Sequence, residues 1–142
     1  MIKIRKAKKR DYKTLIKLYV DFVGDKRYAD FNNDSFLKVI KNKNSFLDLV
    51  ILKNKIIGFI SYSIRNVIRY PRPIIEVEEL YVLPEYRLKG IGNKLMKHVI
   101  NICKNKNCHY LFLASDKKRK TAHKFYKALG FDEYAYHFRK RG

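Results

Sequence analysis

Residues 78–92 run from a strand into a helix: Glu78-Glu79-Leu80-Tyr81-Val82-Leu83-Pro84-Glu85-Tyr86-Arg87-Leu88-Lys89-Gly90-Ile91-Gly92. Pro84 ends the strand, and the helix begins at the two glycines. Glycines let backbone N–H groups approach an anion closely, and a helix N-terminus adds partial positive charge. Arg87 and Lys89 add full charges. This stretch therefore predicts a turn that binds a pyrophosphate.

The pattern around this stretch alternates between the periods of strands and helices. It predicts strands at Met1–Arg5, Phe46–Leu52, Ile56–Ile64, Ile74–Val82, His109–Ala114 and Phe131–Arg139. It predicts helices from Asp11, as the capping residue, to Gly24, from Asn33 to about Ile40, over Gly90–Lys106 and over Lys118–Leu129. The order β-α-α-β-β-β-α-β-α-β indicates an α/β (α+β) fold, with a mixed, mostly antiparallel sheet flanked by helices.

Length and charge limit the function. The 142 residues predict one domain over residues 1–142, and 46% hydrophobic residues exclude wholesale disorder. Lys and Arg number 33 against 13 Asp and Glu, a net charge of +20. This charge favours an anionic partner such as nucleic acid, an acidic membrane or a phosphate-bearing ligand. A compositional bias toward Lys, Ile and Asn is the alternative explanation.

The N-terminal sequence, the apolar runs and the cysteines and histidines bear on the cellular compartment and on metal binding. The N-terminal residues lack the apolar segment of a secretory signal, and no apolar run is long enough to cross a bilayer. Two cysteines exclude a disulfide framework, so we expect a cytoplasmic protein without a membrane partner. The spacing of His98, Cys103, Cys108 and His109 fits no standard zinc pattern, so we expect no metal.

Two separated motifs resemble the GNAT N-acetyltransferase superfamily. The run Arg87-Leu88-Lys89-Gly90-Ile91-Gly92 matches its Arg/Gln-x-x-Gly-x-Gly/Ala motif. Residues 122–131, Ala-His-Lys-Phe-Tyr-Lys-Ala-Leu-Gly-Phe, are similar to its Ala-x-x-x-Tyr-x-x-x-Gly-Phe segment. Arg119 stands where many members have Asn. With the His-Phe-Arg-Lys run at 137–140, it resembles the branch of aminoalkylphosphonate N-acetyltransferases.

The resemblance implies that acetyl-CoA is the co-substrate. In the family, the pantetheine arm pairs with the backbone of the central strand, here Leu80, Tyr81 and Val82. The implied pyrophosphate site is Arg87, Leu88, Lys89, Gly90, Ile91, Gly92 and Asn93. Arg119 and Tyr126 complete the implied cofactor-binding residues.

Acetyl transfer to an amine needs a group that removes a proton, because an amine with a pKa near ~10.4 is almost fully protonated at neutral pH. By strand alternation, Glu76 and Glu78 share one face and Glu79 points to the other, unless a bulge interrupts the strand. We prefer Glu78 as the base, which matches its position in polyamine-acetylating relatives. Glu76 and Glu79 remain alternatives, as does a merely solvated acidic face.

The remaining catalytic groups are implied by the resemblance. Tyr126 matches the family's tyrosine acid, which protonates the leaving thiolate; the alternative is a packing role on its helix. The backbone N–H of Leu80 is the expected oxyanion donor. No acyl-enzyme nucleophile is required.

The acceptor is expected between the first two helices and the loop Arg65–Pro73. Three arginines in that loop (Arg65, Arg69, Arg72) favour an anionic acceptor, and three aspartates opposite (Asp25, Asp30, Asp34) favour a cationic one. We expect a small primary amine, and a protein or peptide amine is the alternative. A nucleic-acid-binding module is the competing class, although no nucleic-acid-binding motif accompanies the charge. A cofactor-binding protein without turnover and a homodimer are also left open.

Overall fold

A computed structural model describes residues 1–25 and 33–142. The described chain forms two compact units, Met1–Phe112 and Leu113–Gly142. Its strands are β1 (Ile2–Lys6), β2 (Ser45–Leu52), β3 (Lys55–Arg65), β4 (Ile74–Val82) and β5 (Leu111–Leu113). Its helices are α1 (Tyr12–Val23), α2 (Asn33–Lys41), α3 (Ile91–Asn105) and α4 (Lys120–Ala128).

The described strands form one sheet in the order β1-β2-β3-β4-β5. The three pairings from β1 to β4 are antiparallel, which confirms the predicted mostly antiparallel sheet flanked by helices. Lys53 and Asn54 both have positive φ in the two-residue turn between β2 and β3. Such turns match the twist of the strands they join.

Apolar side chains cover both faces of this sheet. On one face, Leu15 and Leu18 of α1 and Phe36 of α2 pack against Phe59 and Tyr81. On the other, α3 packs against β3 and β4 with Leu95, Met96 and Val99 fully buried. The apolar stripes of α1 and α3 therefore face the core.

Asp11 ties β1 to the start of α1. The two terminal guanidinium nitrogens of Arg5, Nη1 and Nη2, donate to its carboxylate at 2.8 and 2.9 Å, and the backbone N–H of Lys8 donates to it at 2.7 Å. The bond from Arg5 lowers the pKa of Asp11 against the opposing effect of burial. Asp11 occupies the predicted capping position, but its side chain makes no cap bond to α1, because its oxygens already serve Arg5 and Lys8.

The final predicted strand, Phe131–Arg139, is wrong: residues 131–142 have no regular secondary structure. The aromatic residues that suggested alternation, Tyr134, Tyr136 and Phe138, are 70, 77 and 88% exposed. Alternation stabilises a strand only when one of its faces is buried. Without that burial, the pattern alone does not produce a strand.

We predict that Asp11→Asn lowers the free energy of unfolding by about 3 kcal/mol at pH 7, because it leaves the part-buried Arg5 without its charge partner. A lowered folded-state pKa stabilises the protein above the unfolded value near ~4, and this contribution is lost as the pH falls through the folded value. The difference between the variant and the parent should therefore shrink at acid pH.

Urea unfolding at pH 7 and pH 3 measures this difference. Asp21→Asn, which removes an exposed carboxylate from α1, is the matched control. An Asp11→Asn deficit that is equally large at both pH values would contradict the ion-pair explanation.

Candidate active site

The predicted pyrophosphate turn lies between β4 and α3. Gly90 is the N-cap residue of α3 with φ +78°, and Leu88 also has positive φ, at +60°. A non-glycine residue in this region stores strain, which is concentrated at functional sites in proteins. Because the first N–H groups of a helix have no partner within it, this turn offers backbone donors to an anion.

Cations flank this turn. Arg87 donates from Nε to the Val82 carbonyl at 2.8 Å, and its guanidinium carbon lies 5.3 Å from the centre of the Tyr81 ring. The Lys89 ammonium lies 5.7 Å from the centre of the Tyr86 ring. A turn with backbone donors and two cations fits the chemistry of a pyrophosphate.

β4 has a long neighbour on one edge, β3, and a short one on the other, β5. Gly58 of β3 lies opposite Val82, and a Cβ added at Gly58 would come within 2.5 Å of the Tyr81 carbonyl oxygen. β5 spans three residues against nine in β4, and the Ile75 N–H donates to the Tyr110 carbonyl just before β5 begins. The segment Leu80–Val82 lies at the opposite end of β4 from Ile75.

A β-bulge interrupts β4 at Glu78. Ser61 pairs with Glu79 and Tyr62 pairs with Val77, so Glu78 is the extra residue on β4. Ser63 pairs with Glu76. Because directly paired residues point to the same side and Ser61 and Ser63 are two apart, Glu76 and Glu79 share a face. The prediction that Glu79 faces away from Glu76 and Glu78 is therefore wrong.

That face borders a cavity of about 500 Å³ within the first unit. Both Glu78 and Glu79 line it. The other lining residues come from the first two helices and from β2 and β3: Tyr12, Leu15, Ile16, Tyr19, Ser35, Phe36, Val39, Ser45, Phe46, Leu47, Ser61, Tyr62 and Ser63. The volume suits a small molecule.

The two cavity glutamates differ in how firmly they are held. Glu79 is part-buried, and its Oε1 accepts hydrogen bonds from the hydroxyls of Tyr19 at 2.7 Å and Ser61 at 2.9 Å. Glu78 is exposed and accepts one bond, from Ser63 at 3.0 Å. Glu76 instead forms an ion pair with Arg65 at 2.8 Å. Glu78 thus has the fewest constraints on moving toward a substrate.

The charged residues that the sequence predicts around the acceptor are not, where the structure describes them, among the residues that line the cavity. Arg65 pairs with Glu76, Arg72 donates to the Asn107 carbonyl, and Arg69 lies over the Tyr70 ring. None of these arginines lines the cavity, and neither do Asp25 and Asp34. Asp30 lies outside the described residues. Five of the six expected charged residues therefore do not line this cavity, whose charged lining among the described residues is Glu78 and Glu79.

Several polar residues of the site were missed in the sequence. Tyr19 falls on the apolar stripe of its helix with Leu15, Leu18 and Phe22, a pattern that indicates packing and not a polar role. Ser61 and Ser63, at alternate positions of an apolar strand, are the signal that could have revealed a polar patch on one face. A further network was also missed: buried Asp48 accepts from Tyr62 at 2.7 Å and contacts His98 Nε2 at 2.9 Å.

Tyr126 and Arg119 lie in the second unit. Tyr126 is part-buried on α4, next to the rings of Phe125 and Phe131. Burial raises the pKa of Tyr126, and the positive charge of Arg119 partly opposes this effect. The hydroxyl therefore stays protonated at neutral pH. Arg119 is exposed at the N-cap of α4.

Cys103 is not activated as a nucleophile. Burial, together with Cys108, raises the pKa of Cys103 to about 11. Within residues 1–25 and 33–142, no three or more His, Cys, Asp or Glu side chains are grouped as a metal site would require. In the same part of the chain, every helix is too short or too polar to span a membrane.

Comparison with known proteins assigns the family. The model of the acetyltransferase (GNAT) family matches residues 5–131. The chain belongs to this family. The motif 87–92, the bulged strand before it and the second motif at 122–131 all lie within the matched range.

Two curated relatives differ in coverage. Thialysine N-epsilon-acetyltransferase of Bos taurus is 46% identical over 56 residues, which is 39% of this chain and 33% of that protein. The alignment therefore spans about a third of that relative's length. Aminoalkylphosphonate N-acetyltransferase of Salmonella typhimurium is 23% identical over 137 residues, covering 96% of this chain and 89% of that protein.

A solved structure supports the fold. An aminoglycoside N-acetyltransferase in complex with CoA superposes with a TM-score of 0.83 at 22% identity, covering 100% of this chain and 96% of that one. At this identity the likeness establishes the GNAT fold, including its mixed sheet.

We predict that Gly92→Val weakens acetyl-CoA binding at least tenfold while the protein stays folded, because its side chain would obstruct the approach of backbone N–H groups to the pyrophosphate. Gly92 is the better site than Gly90, whose positive φ would strain any side chain. Because valine has a higher helix propensity than glycine, we expect this substitution in α3 to leave the protein folded.

Calorimetric titration with acetyl-CoA and a thermal melt measure binding and folding separately. Asn101→Val, at an exposed position of α3, is the matched control. Unchanged affinity in folded Gly92→Val would refute the assignment of this turn.

Proposed function

We propose that this protein transfers the acetyl group of acetyl-CoA directly to a small primary amine, and that residues 1–142 form one N-acetyltransferase domain. Family membership and relatives named as N-acetyltransferases support this activity. The observation that carries the proposal is the position of Glu78. It stands at a cavity on the same strand, β4, that leads into the pyrophosphate turn.

The cofactor end of the site would consist of β4 and the turn after it. Arg87, Lys89 and the first N–H groups of α3 would hold the pyrophosphate. The backbone of Leu80–Val82 would pair with the pantetheine arm, and the net charge of +20 favours a polyanionic ligand. Asn93 and Arg119 are the remaining proposed contacts.

The acceptor would enter the cavity as an ammonium ion. The Glu78 carboxylate would accept its proton, directly or through one water, and the free amine would then attack the thioester carbonyl carbon. The Leu80 N–H would donate a hydrogen bond to the oxygen on which negative charge develops. The carbon–sulfur bond then breaks, CoA leaves as the thiolate, and the nitrogen releases its second proton to solvent to give the amide.

Tyr126 is the proposed partner of the leaving sulfur. Its raised pKa keeps the hydroxyl protonated, so it can donate a hydrogen bond to the thiolate. Because a thiol near pKa ~8.5 is a stronger acid than this phenol, complete proton transfer is unfavourable. We therefore assign Tyr126 stabilisation of the leaving group, with the final proton supplied by solvent.

We predict that Glu78→Gln lowers turnover at pH 7 by about 10²-fold or more, because the amide keeps the shape but cannot accept the proton. Turnover should recover as the pH approaches the amine's own pKa, since solvent then supplies free amine. The measurement is the rate of thiol release as a function of pH with one accepted amine.

Glu76→Gln is the control, since Glu76 is paired with Arg65 and does not line the cavity. A pH-dependent loss of turnover in Glu76→Gln or Glu79→Gln would instead identify that residue as the base. Identical pH profiles for the parent and all three variants would exclude a strand carboxylate as the base.

We predict that Tyr126→Phe lowers kcat by about 10²-fold, since one hydrogen bond to the leaving sulfur is lost. Acetyl-CoA affinity should change little, because the ring remains. Steady-state kinetics and calorimetry separate the two effects. Phe125→Tyr, which alters a neighbouring ring without removing a hydroxyl, is the control. An undiminished kcat in Tyr126→Phe would show that Tyr126 serves only in packing.

A further inference from the structure

Among the residues that the structure describes, the charged side chains that line the cavity are of one sign. Glu78 and Glu79 are its charged lining residues, and no Lys, Arg or His of the described chain joins them. The three arginines in and beside the neighbouring loop are directed to other partners. A cavity with this lining attracts cations and disfavours an acceptor that carries a phosphonate or carboxylate.

Aromatic rings form much of the remaining wall. The rings of Tyr12 and Phe36 lie 5.3 Å apart, and those of Phe46 and Tyr62 are stacked at 5.1 Å. Such rings pack against methylene groups and attract ammonium groups through their π-faces, and the Phe46 ring already has the Lys6 ammonium 5.7 Å from its centre. The wall therefore fits an alkyl chain that ends in a positive charge.

Two hydroxyl donors hold the carboxylate of Glu79 in place. Both of its hydroxyl donors bind Oε1, so these bonds leave Oε2 unused. The donor Tyr19 is itself immobilised, because its ring stacks on Phe59 at a centroid distance of 4.4 Å. Burial and the charge of Glu79 raise the pKa of Tyr19, so this hydroxyl stays protonated at neutral pH and can donate.

We propose that the acceptor is a diamine or longer polyamine, and that Glu79 binds the ammonium group that does not react. The proposal rests on the proposed acetyl transfer, in which the less constrained Glu78 serves the reacting amine. Two adjacent carboxylates, one held by two hydroxyls and one exposed, would thus divide binding and proton removal between them.

Three acceptors test this proposal: 1,5-diaminopentane, 1-aminopentane and 3-aminopropylphosphonate, each with acetyl-CoA. The diamine should exceed the monoamine at least tenfold in kcat/KM, and the phosphonate should fall below the monoamine. Glu79→Gln should bring the ratio of diamine to monoamine close to one, mainly by raising KM for the diamine.

Two further variants isolate the role of Glu79. Tyr19→Phe removes one hydroxyl donor but keeps the ring on Phe59, so KM for the diamine should rise several-fold and the fold should remain. Asp21→Asn removes an exposed carboxylate that does not line the cavity, and it should leave the ratio unaltered. Equal ratios in the parent and Glu79→Gln would overturn the proposal.

Binding without turnover distinguishes this proposal from the catalytic one. Calorimetric titration of 1,5-diaminopentane into the protein with CoA present should show affinity that falls at least tenfold in Glu79→Gln. If the diamine binds this way but is never acetylated, the polyamine site stands and acetyl transfer to it fails. If an amine is acetylated but the diamine has no advantage, acetyl transfer stands and the polyamine site is refuted.

Discussion

One extra residue in a strand sets the geometry of the candidate site. Glu78 has no partner on β3, and this bulge resets the alternation of β4 between Val77 and Glu79. Without it, successive glutamates would point to opposite faces of the sheet. With it, Glu78 and Glu79 both reach the same cavity. Bulges commonly occur beside active sites, where they re-aim side chains.

The packing around the bulge keeps the two carboxylates distinct. Tyr19 is anchored on Phe59, and it fixes Glu79 together with Ser61. Glu78 meets only Ser63 among these hydroxyls and remains exposed. The same strand continues to Val82, whose carbonyl accepts a hydrogen bond from Arg87 at the start of the predicted pyrophosphate turn. β4 therefore connects the cavity with the proposed acceptor role to the proposed cofactor site.

Much of the fold, but less of the candidate site, could be predicted from the sequence. β4 has the predicted limits Ile74–Val82, and the apolar stripes of α1 and α3 face the core, because periodicity reports burial. A bulge was the stated exception to the alternation of β4, but no residue type marks its position, so the count placed Glu79 on the wrong face. Tyr19 falls on the apolar stripe of α1, which indicates packing, and its hydroxyl also reaches Glu79. The alternating aromatics after Phe131 predicted a strand whose side chains are in fact exposed.

A crystal structure with CoA joined through its sulfur to 1,5-diaminopentane tests the central claim most directly. We expect pyrophosphate oxygens within about 3 Å of the first N–H groups of α3, with the alkyl arm in the cavity between Glu78 and Glu79. The distal ammonium should contact Glu79. A pyrophosphate bound away from residues 87–93, or an arm that leaves the cavity empty, would contradict the account.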